Sequence, residues 1–436
     1  AKNNGLPEAP IPLSRVEGSK TVDKGSDGFF TSETSSSGPA YGYFAGGTEG
    51  FPTPSGFTTV DRIDYANDTN TAINRAPLTP VPANRAAVSS VSYAWFAGGG
   101  QSYPSSNLTS NVQRLDYAND TYLTSKGPLS NARFYASGVG NKNFGYIGGG
   151  FNPGSPSYPN PQFSWIDRID YANDSPTAVR KGSFMFGCNY GAASSNLNFG
   201  YFGGGETSNG SLGVNGYLSQ VARLDYSNDS ATTLARGPLT EARGRHGATG
   251  NADFGYFMGG RTGSYGYSIV DRVDYSNDTA TALARHPVLS VSSVGVSDNR
   301  GITGNSTHGY MGGGDPWGYS STSAVYRTDY ANDTASPSPK GPLTKARASI
   351  ASASAREGGM SGTALGPYAT RIRFIDNLPI DSGTIVNNFG YFGGGQNPSN
   401  PSGTSTIDRM DFASDTSGAT PRSSFLYNTG FSIGSG

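Results

Sequence analysis

The chain has 436 residues and a formal net charge of −1, with 31 Lys and Arg against 32 Asp and Glu, so it can bury several cores but offers no basic field for nucleic acid and no acidic tail. Its 63 glycines and 27 prolines accompany 26 tyrosines and 22 phenylalanines while only 34% of residues are hydrophobic, a mixture that fits many short strands joined by turns. No apolar run reaches the roughly eighteen residues of a membrane-spanning helix, no stretch sustains a helical period, and the single cysteine, Cys188, excludes an internal disulfide.

In chain order, residues 1–40 are rich in Ser, Gly and Lys and lack alternation, which predicts an arm or linker. An opening at Ala1 without methionine fits a processed or trimmed chain. From residue 41 onward one pattern returns. "DRIDYANDT" at 61–69 comes back in six further variants, with the aspartate before the aromatic at Asp64, Asp116, Asp170, Asp225, Asp274, Asp329 and Asp411. Successive copies lie 49 to 55 residues apart until the last, which follows after 82. A period near fifty marks a structural array and not an active-site motif.

One complete period, from Ala242, shows four extended segments. The first precedes a "GN" turn, where Gly and Asn are expected to supply positive φ. The second is "FGYFMGG", whose paired glycines admit a neighbouring backbone. The third is "IVDRVDY" and the fourth "TATALAR", separated by an "SND" turn. Four strands per period predict an all-β propeller, with seven four-stranded blades over 41–436. The long last interval contains "ASAREGGMSGTALGPYATRIRFIDNLPIDSGT", either a degenerate eighth blade or an insertion in the seventh. The final "PRSSFLYNTGFSIG" is expected to pair into the first blade and close the ring.

The repeat resembles the kelch repeat in three features: an Arg at the first strand, a Gly-Gly closing the second, and a Tyr-bearing third strand that turns into the fourth. It departs from kelch in having Thr, Ala or Ser where that pattern has a Trp early in the fourth strand. The dialect "FGYFGGG", "DRIDYANDT" and "GPL" also resembles repeats in virion structural and tail-fibre-type proteins of marine, especially cyanobacterial, phages. That resemblance implies a virion or extracellular location.

Side chains alternate along a strand, so the Arg and Asp of each copy share a face: Arg62 with Asp64, Arg114 with Asp116, Arg168 with Asp170, Arg223 with Asp225, Arg272 with Asp274, Arg327 with Asp329 and Arg409 with Asp411. These are expected to be structural ion pairs between packed blades, because a lone charge there costs several kcal/mol. No metal is expected at the "ND" turns, whose order fits neither the EF-hand loop nor the calcium nonapeptide. The turns also spell sequons such as Asn67-Asp68-Thr69, which turn chemistry alone explains. Only His246, His286 and His308 are present, with no HExxH, P-loop, GxSxG or CxxC, so no catalytic residue and no cofactor are assigned.

Strand order puts the loop after strand two and the loop leading to the next blade on one face. The loops after the glycines differ in length and are dense in Tyr, Ser, Gly, Asn and Pro, the composition of binding loops on rigid scaffolds. Tyr103, Trp165, Tyr217, Tyr265, Tyr267, Trp317 and Tyr319 are the candidate platforms. The reading is a non-enzymatic module that binds a host-surface glycan or another virion protein, with no nucleic acid and no membrane insertion. The alternative is a propeller hydrolase or lyase acting on polysaccharide through carboxylates from different blades at the axis.

Overall fold

The computed structural model describes residues 30–33, 41–48, 56–79, 83–100, 108–153, 162–185, 187–207, 216–263, 265–287, 301–305, 307–314 and 321–355, together with strands at 371–374, 389–393, 404–411, 420–429 and 433–435. The chain divides into two compact units, Ser37–Pro367 and a second made of Ala1–Ser36 with Tyr368–Gly436.

The larger unit is a six-bladed propeller. Blade four is representative, with Ala192–Ser195, Phe199–Gly203, Val221–Asp225 and Leu234–Arg236 hydrogen-bonded in that order as an antiparallel sheet. Blades two, three, five and six repeat the order around second strands Tyr93–Ala97, Phe144–Gly148, Phe254–Met258 and His308–Gly312. The first strands of successive blades pack beside one another round the axis, so the glycine-closed second strands lie inside the Arg-bearing third strands.

Blade one explains why seven repeat copies give six blades and not the expected seven. Its second strand, Tyr41–Ala45, has no first strand before it in sequence and takes Ala351–Ala355 instead, with Tyr41 opposite Ala355 and Ala45 opposite Ala351. That pairing satisfies both open sheet edges at once and closes the ring after the sixth copy. The expected closure by the chain's last residues does not occur. In the other unit, the seventh copy's Phe389–Gly393 and Thr404–Asp411 join Thr420–Thr429 and Ile433–Ser435 in a sheet of their own. Phe30–Glu33, within the segment read as an arm, is a strand paired with Arg371–Phe374.

The turns follow side-chain chemistry. Asn141 Oδ1 accepts hydrogen bonds from the backbone N–H groups of Asn143 and Phe144, and Asn196, Asn251 and Asn305 repeat the arrangement. Positive φ is not what shapes them: Gly140, Asn141, Gly250 and Asn251 all lie outside that region. In the "ND" turn Asp64 caps a single 3-10 turn, Tyr65–Asn67, by accepting from the Ala66 N–H at 2.9 Å, Asp225 and Asp274 cap 3-10 turns in the same way, and Asp116, Asp170 and Asp329 accept the equivalent backbone N–H in their own copies.

The arginines therefore do not pair within their own strands. Arg62 donates to Asp120 at 2.9 Å, on the turn of the next blade, and the relation continues as Arg114 to Asp174, Arg168 to Asp229, Arg223 to Asp278, Arg272 to Asp333 and, across the closure, Arg327 to Asp68. Each of these aspartates also accepts from a buried second-strand hydroxyl or indole, as Asp333 does from Tyr256 at 2.9 Å and Asp174 from Trp95 at 2.8 Å. A fourth-strand cation, such as Arg285 beside Asp333 or Lys126 beside Asp174, completes the cluster. The tyrosine of each string stacks backward on the same second-strand ring of the preceding blade, for example Tyr330 on Tyr256 at 4.9 Å and Tyr65 on Tyr310 at 4.7 Å. One nine-residue string thus reaches forward through Arg and backward through Tyr and the turn Asp. The side chains of Arg409 and Asp411 lie outside the described residues.

Close approach accounts for the "GPL" glycine. A Cβ on Gly237 would collide with the carbonyl oxygen of Ala280 in the next blade. Gly237→Ala is expected to destabilise the ring by about 1–3 kcal/mol, because backbone and not a movable side chain must give way. A denaturant midpoint indistinguishable from wild type would show that the blades separate freely there.

Candidate functional site

The candidate site is the axial rim on the face of the variable loops. Each first strand is entered through a residue that bends the chain toward the axis: Asn84, Tyr135, Tyr190, Arg245 and Ser349 in five of the blades. All five are non-glycine residues with φ between 54° and 61°. That conformation costs about 1–2 kcal/mol per residue, and in four of the five it aims the backbone N–H at the preceding blade. The Asn84 N–H donates to Ser349 O at 3.1 Å, Tyr135 to Asn84 O at 3.1 Å, Tyr190 to Tyr135 O at 3.1 Å and Arg245 to Tyr190 O at 2.8 Å. The rim is a run of backbone hydrogen bonds passing from blade to blade. Strained residues held by surrounding structure cluster at functional sites, and the strain here sits on the side chains that point to the mouth.

Those side chains form a continuous stack. The Tyr135 and Tyr190 rings lie 3.6 Å apart between centroids, and the Arg245 guanidinium sits 4.0 Å above Tyr190. Arg245 Nε donates to Glu206 Oε1 at 3.0 Å, fixing the guanidinium over the ring. Burial and the facing Tyr135 hold the Tyr190 hydroxyl far above its ordinary range, so it stays a neutral donor. The mouth is open to solvent and is lined by these groups with Asn84, His246 and Ser349. His246 is buried, and burial together with the Arg243 charge holds its ring well below the usual histidine range, uncharged. Among the described residues lining the mouth there is no carboxylate. His286 and His308 stand in other blade positions, and no group of three metal-ligating side chains occurs among the described residues.

The aromatics expected from sequence fall in several places. Trp165 begins the third strand of blade three, half-buried, stacked on Phe163 at 4.3 Å and covered by the Arg180 guanidinium at 4.1 Å. Tyr217 bridges to Glu206, and the Tyr267 N–H donates to Gly260 O at 2.8 Å; both are half-buried on the loop face. Tyr265 lies in a two-residue strand pairing Thr262. Tyr103, Trp317 and Tyr319 lie outside the described residues. The structure does not gather the described members into one platform; the gathered aromatics are Tyr135 and Tyr190, in the other set of loops on the same face. Their sequence signal is a variable position two residues after the "AR" of the repeat, as in Arg133 to Tyr135 and Arg243 to Arg245.

These features define a six-bladed all-β propeller with an aromatic axial rim. No protein-family model matches the chain, and no curated protein matches it. A solved structure titled "Structure of YjhT" is similar in fold, with a TM-score of 0.50 and 13% sequence identity, covering 80% of this chain and 99% of that one.

Proposed function

We propose that this propeller is a non-enzymatic binding module, a divergent kelch-like domain of a phage virion that adheres to a host-surface glycan. The observation that carries the reading is the Tyr135–Tyr190–Arg245 stack, set at the centre of the variable face on a rim built by backbone hydrogen bonds. A sugar ring's C–H face stacks on aromatic rings while neighbouring amides bond its hydroxyls, and Asn84 and the half-buried tyrosines supply both kinds of group. Among the described residues the rim reaches a carboxylate only through Arg245, which already holds Glu206; an acid and base pair with raised pKa is the arrangement a hydrolase would need.

Tyr135→Gly and Tyr190→Gly test this, because glycine removes the ring and relieves the positive φ together. Binding to cyanobacterial envelope polysaccharide, measured by biolayer interferometry, is expected to weaken about tenfold or more, the loss of roughly 1.4 kcal/mol of stacking. The thermal midpoint should stay close to wild type. Undiminished binding would remove the rim from the site. Release of shortened oligosaccharides would move the function to a hydrolase or lyase, and an intact virion with this face wholly covered by a neighbouring subunit would move it to assembly.

A further inference from the structure

A second site lies in blade four, where a buried polar cluster present in other blades has been vacated. In blade five Asp271 accepts from the Thr240 N–H at 3.0 Å, from Thr240 Oγ1 at 2.7 Å and from Arg243 at 2.8 Å, and Arg243 and Asp271 are both wholly buried. Blade three repeats this with Ser130, Arg133 and Asp167, and blade one with Thr344, Arg347 and Asp61. Blade two has a variant with Thr79, Arg85 and Gln113. Aligned on the second-strand glycines and the rim residue, the corresponding positions of blade four are Met185, Cys188 and Ala222. All three polar groups are gone, and bulk is lost with them.

The space is not refilled. A partly open apolar cleft lies there on the loop face, lined by Met185, Cys188 and Ala222 with the edge-to-face rings of Phe184 and Phe202, 4.9 Å apart. No charged residue lines it. Thr233 also lines it; that side chain is only 4% exposed, and its Oγ1 bonds to no protein atom. Met185, 65% exposed, stands as a flexible apolar group at the edge. An apolar cavity with one unmatched hydroxyl is costly if it serves packing alone. It is the usual anatomy of a small-molecule pocket, where apolar walls supply burial and a few polar atoms orient the guest.

We propose that blade four carries a binding pocket for a small, uncharged, mainly apolar group that offers one hydrogen-bonding atom to Thr233 Oγ1, of the kind represented by a phenol. Ions are disfavoured because nothing in the lining compensates the loss of their hydration. The pocket goes beyond the rim reading: it shares the Tyr135 side chain with the rim, but Tyr190 and Arg245 are not among its lining residues.

Cys188 is the chain's one cysteine and serves as an internal reporter. Burial pushes its thiol up to about 12, so it reacts slowly and in proportion to pocket access. Saturable binding of 4-fluorophenol is expected by ligand-observed fluorine NMR, with matching protection of Cys188 from methyl methanethiosulfonate. Fluorobenzene should bind several-fold more weakly, and Thr233→Val should erase that preference while leaving fluorobenzene binding intact. Cys188→Arg combined with Ala222→Asp restores the pair found in three other blades and should weaken 4-fluorophenol at least tenfold; Ala222→Leu, which fills the pocket without charge, should do the same if the double variant does not fold. Tyr190→Gly should leave 4-fluorophenol binding unchanged, separating this site from the rim. Absence of saturable binding to the wild-type protein, or binding and Cys188 reactivity unaffected by Ala222→Leu, would overturn the proposal.

Discussion

Asp333→Ala is expected to destabilise the propeller by about 3 kcal/mol, whereas Asp274→Ala, the carboxylate on the same strand face two residues after Arg272, should cost about 1 kcal/mol. Asp333 is buried and accepts from Tyr256 and Arg272, with Arg285 alongside, so its removal leaves a wholly buried hydroxyl and two half-buried cations without an acceptor. Asp274 is a turn cap that accepts from the Ser276 N–H and Oγ at 2.9 and 2.7 Å. Those Ser276 bonds hold its carboxyl below the usual aspartate range. Its contribution is therefore present above the unfolded pKa, near pH 4, and fades as pH falls through the lower folded value. Denaturant unfolding with double-mutant cycles separates the two roles: Arg272 and Asp333 should couple by more than about 1 kcal/mol, Arg272 and Asp274 by almost nothing. Equal coupling would return the pair to its own strand and remove the account of why the string repeats.

Much of the fold is written in the repeat, and the points where it is not are instructive. Period, turn chemistry and glycine pairs lead to four-stranded blades, and alternation places each Arg and Asp on one face of the strand. Alternation says which face a side chain takes, but not which residue of the neighbouring blade lies across it. After its Arg each string holds two aspartates, Asp64 and Asp68 in the first copy, and the 3-10 turn decides that Asp64 caps while Asp68 faces the previous blade. The count of six was also visible in principle. "GPLTKAR" at 341–347 leads into Ala351–Ala355 as "GPLTEAR" at 237–243 leads into Gly247–Gly250, yet no "FGYFGGG" follows until residue 389, while Tyr41–Ala45 has no "AR" before it. A first strand without a second and a second without a first are one blade divided between the ends of the ring. The rim was hidden for another reason. Nothing in Tyr or Arg announces positive φ, and only the closed ring supplies the carbonyls that hold Tyr135, Tyr190 and Arg245 there.

Arg243→Ala is expected to give the largest single loss, about 4 kcal/mol, because it strands Asp271 in a wholly buried position with only Thr240 left to donate to it. Arg243 Nε and Nη2 also donate to the carbonyls of Gly259 and Phe257, so truncation frees two backbone acceptors at the crowded end of the second strand. Replacing both charges together, Arg243→Met with Asp271→Leu, should recover at least half of that loss, since the desolvation of two ions is removed along with their attraction. Blade four already forms its four strands with Met185, Cys188 and Ala222 in these positions, so the cluster is not required for a blade to fold. What the charges add is a penalty for mispairing: a blade slipped by one residue would leave Asp271 or Arg243 buried without its partner, and one-residue slips are the characteristic hazard of near-identical strands. Guanidinium denaturation of the single and double variants decides between the two roles. A single variant within about 1 kcal/mol of wild type would mean that water reaches Asp271, and a double variant as unstable as the single would mean that the pair's attraction, and not its burial, dominates.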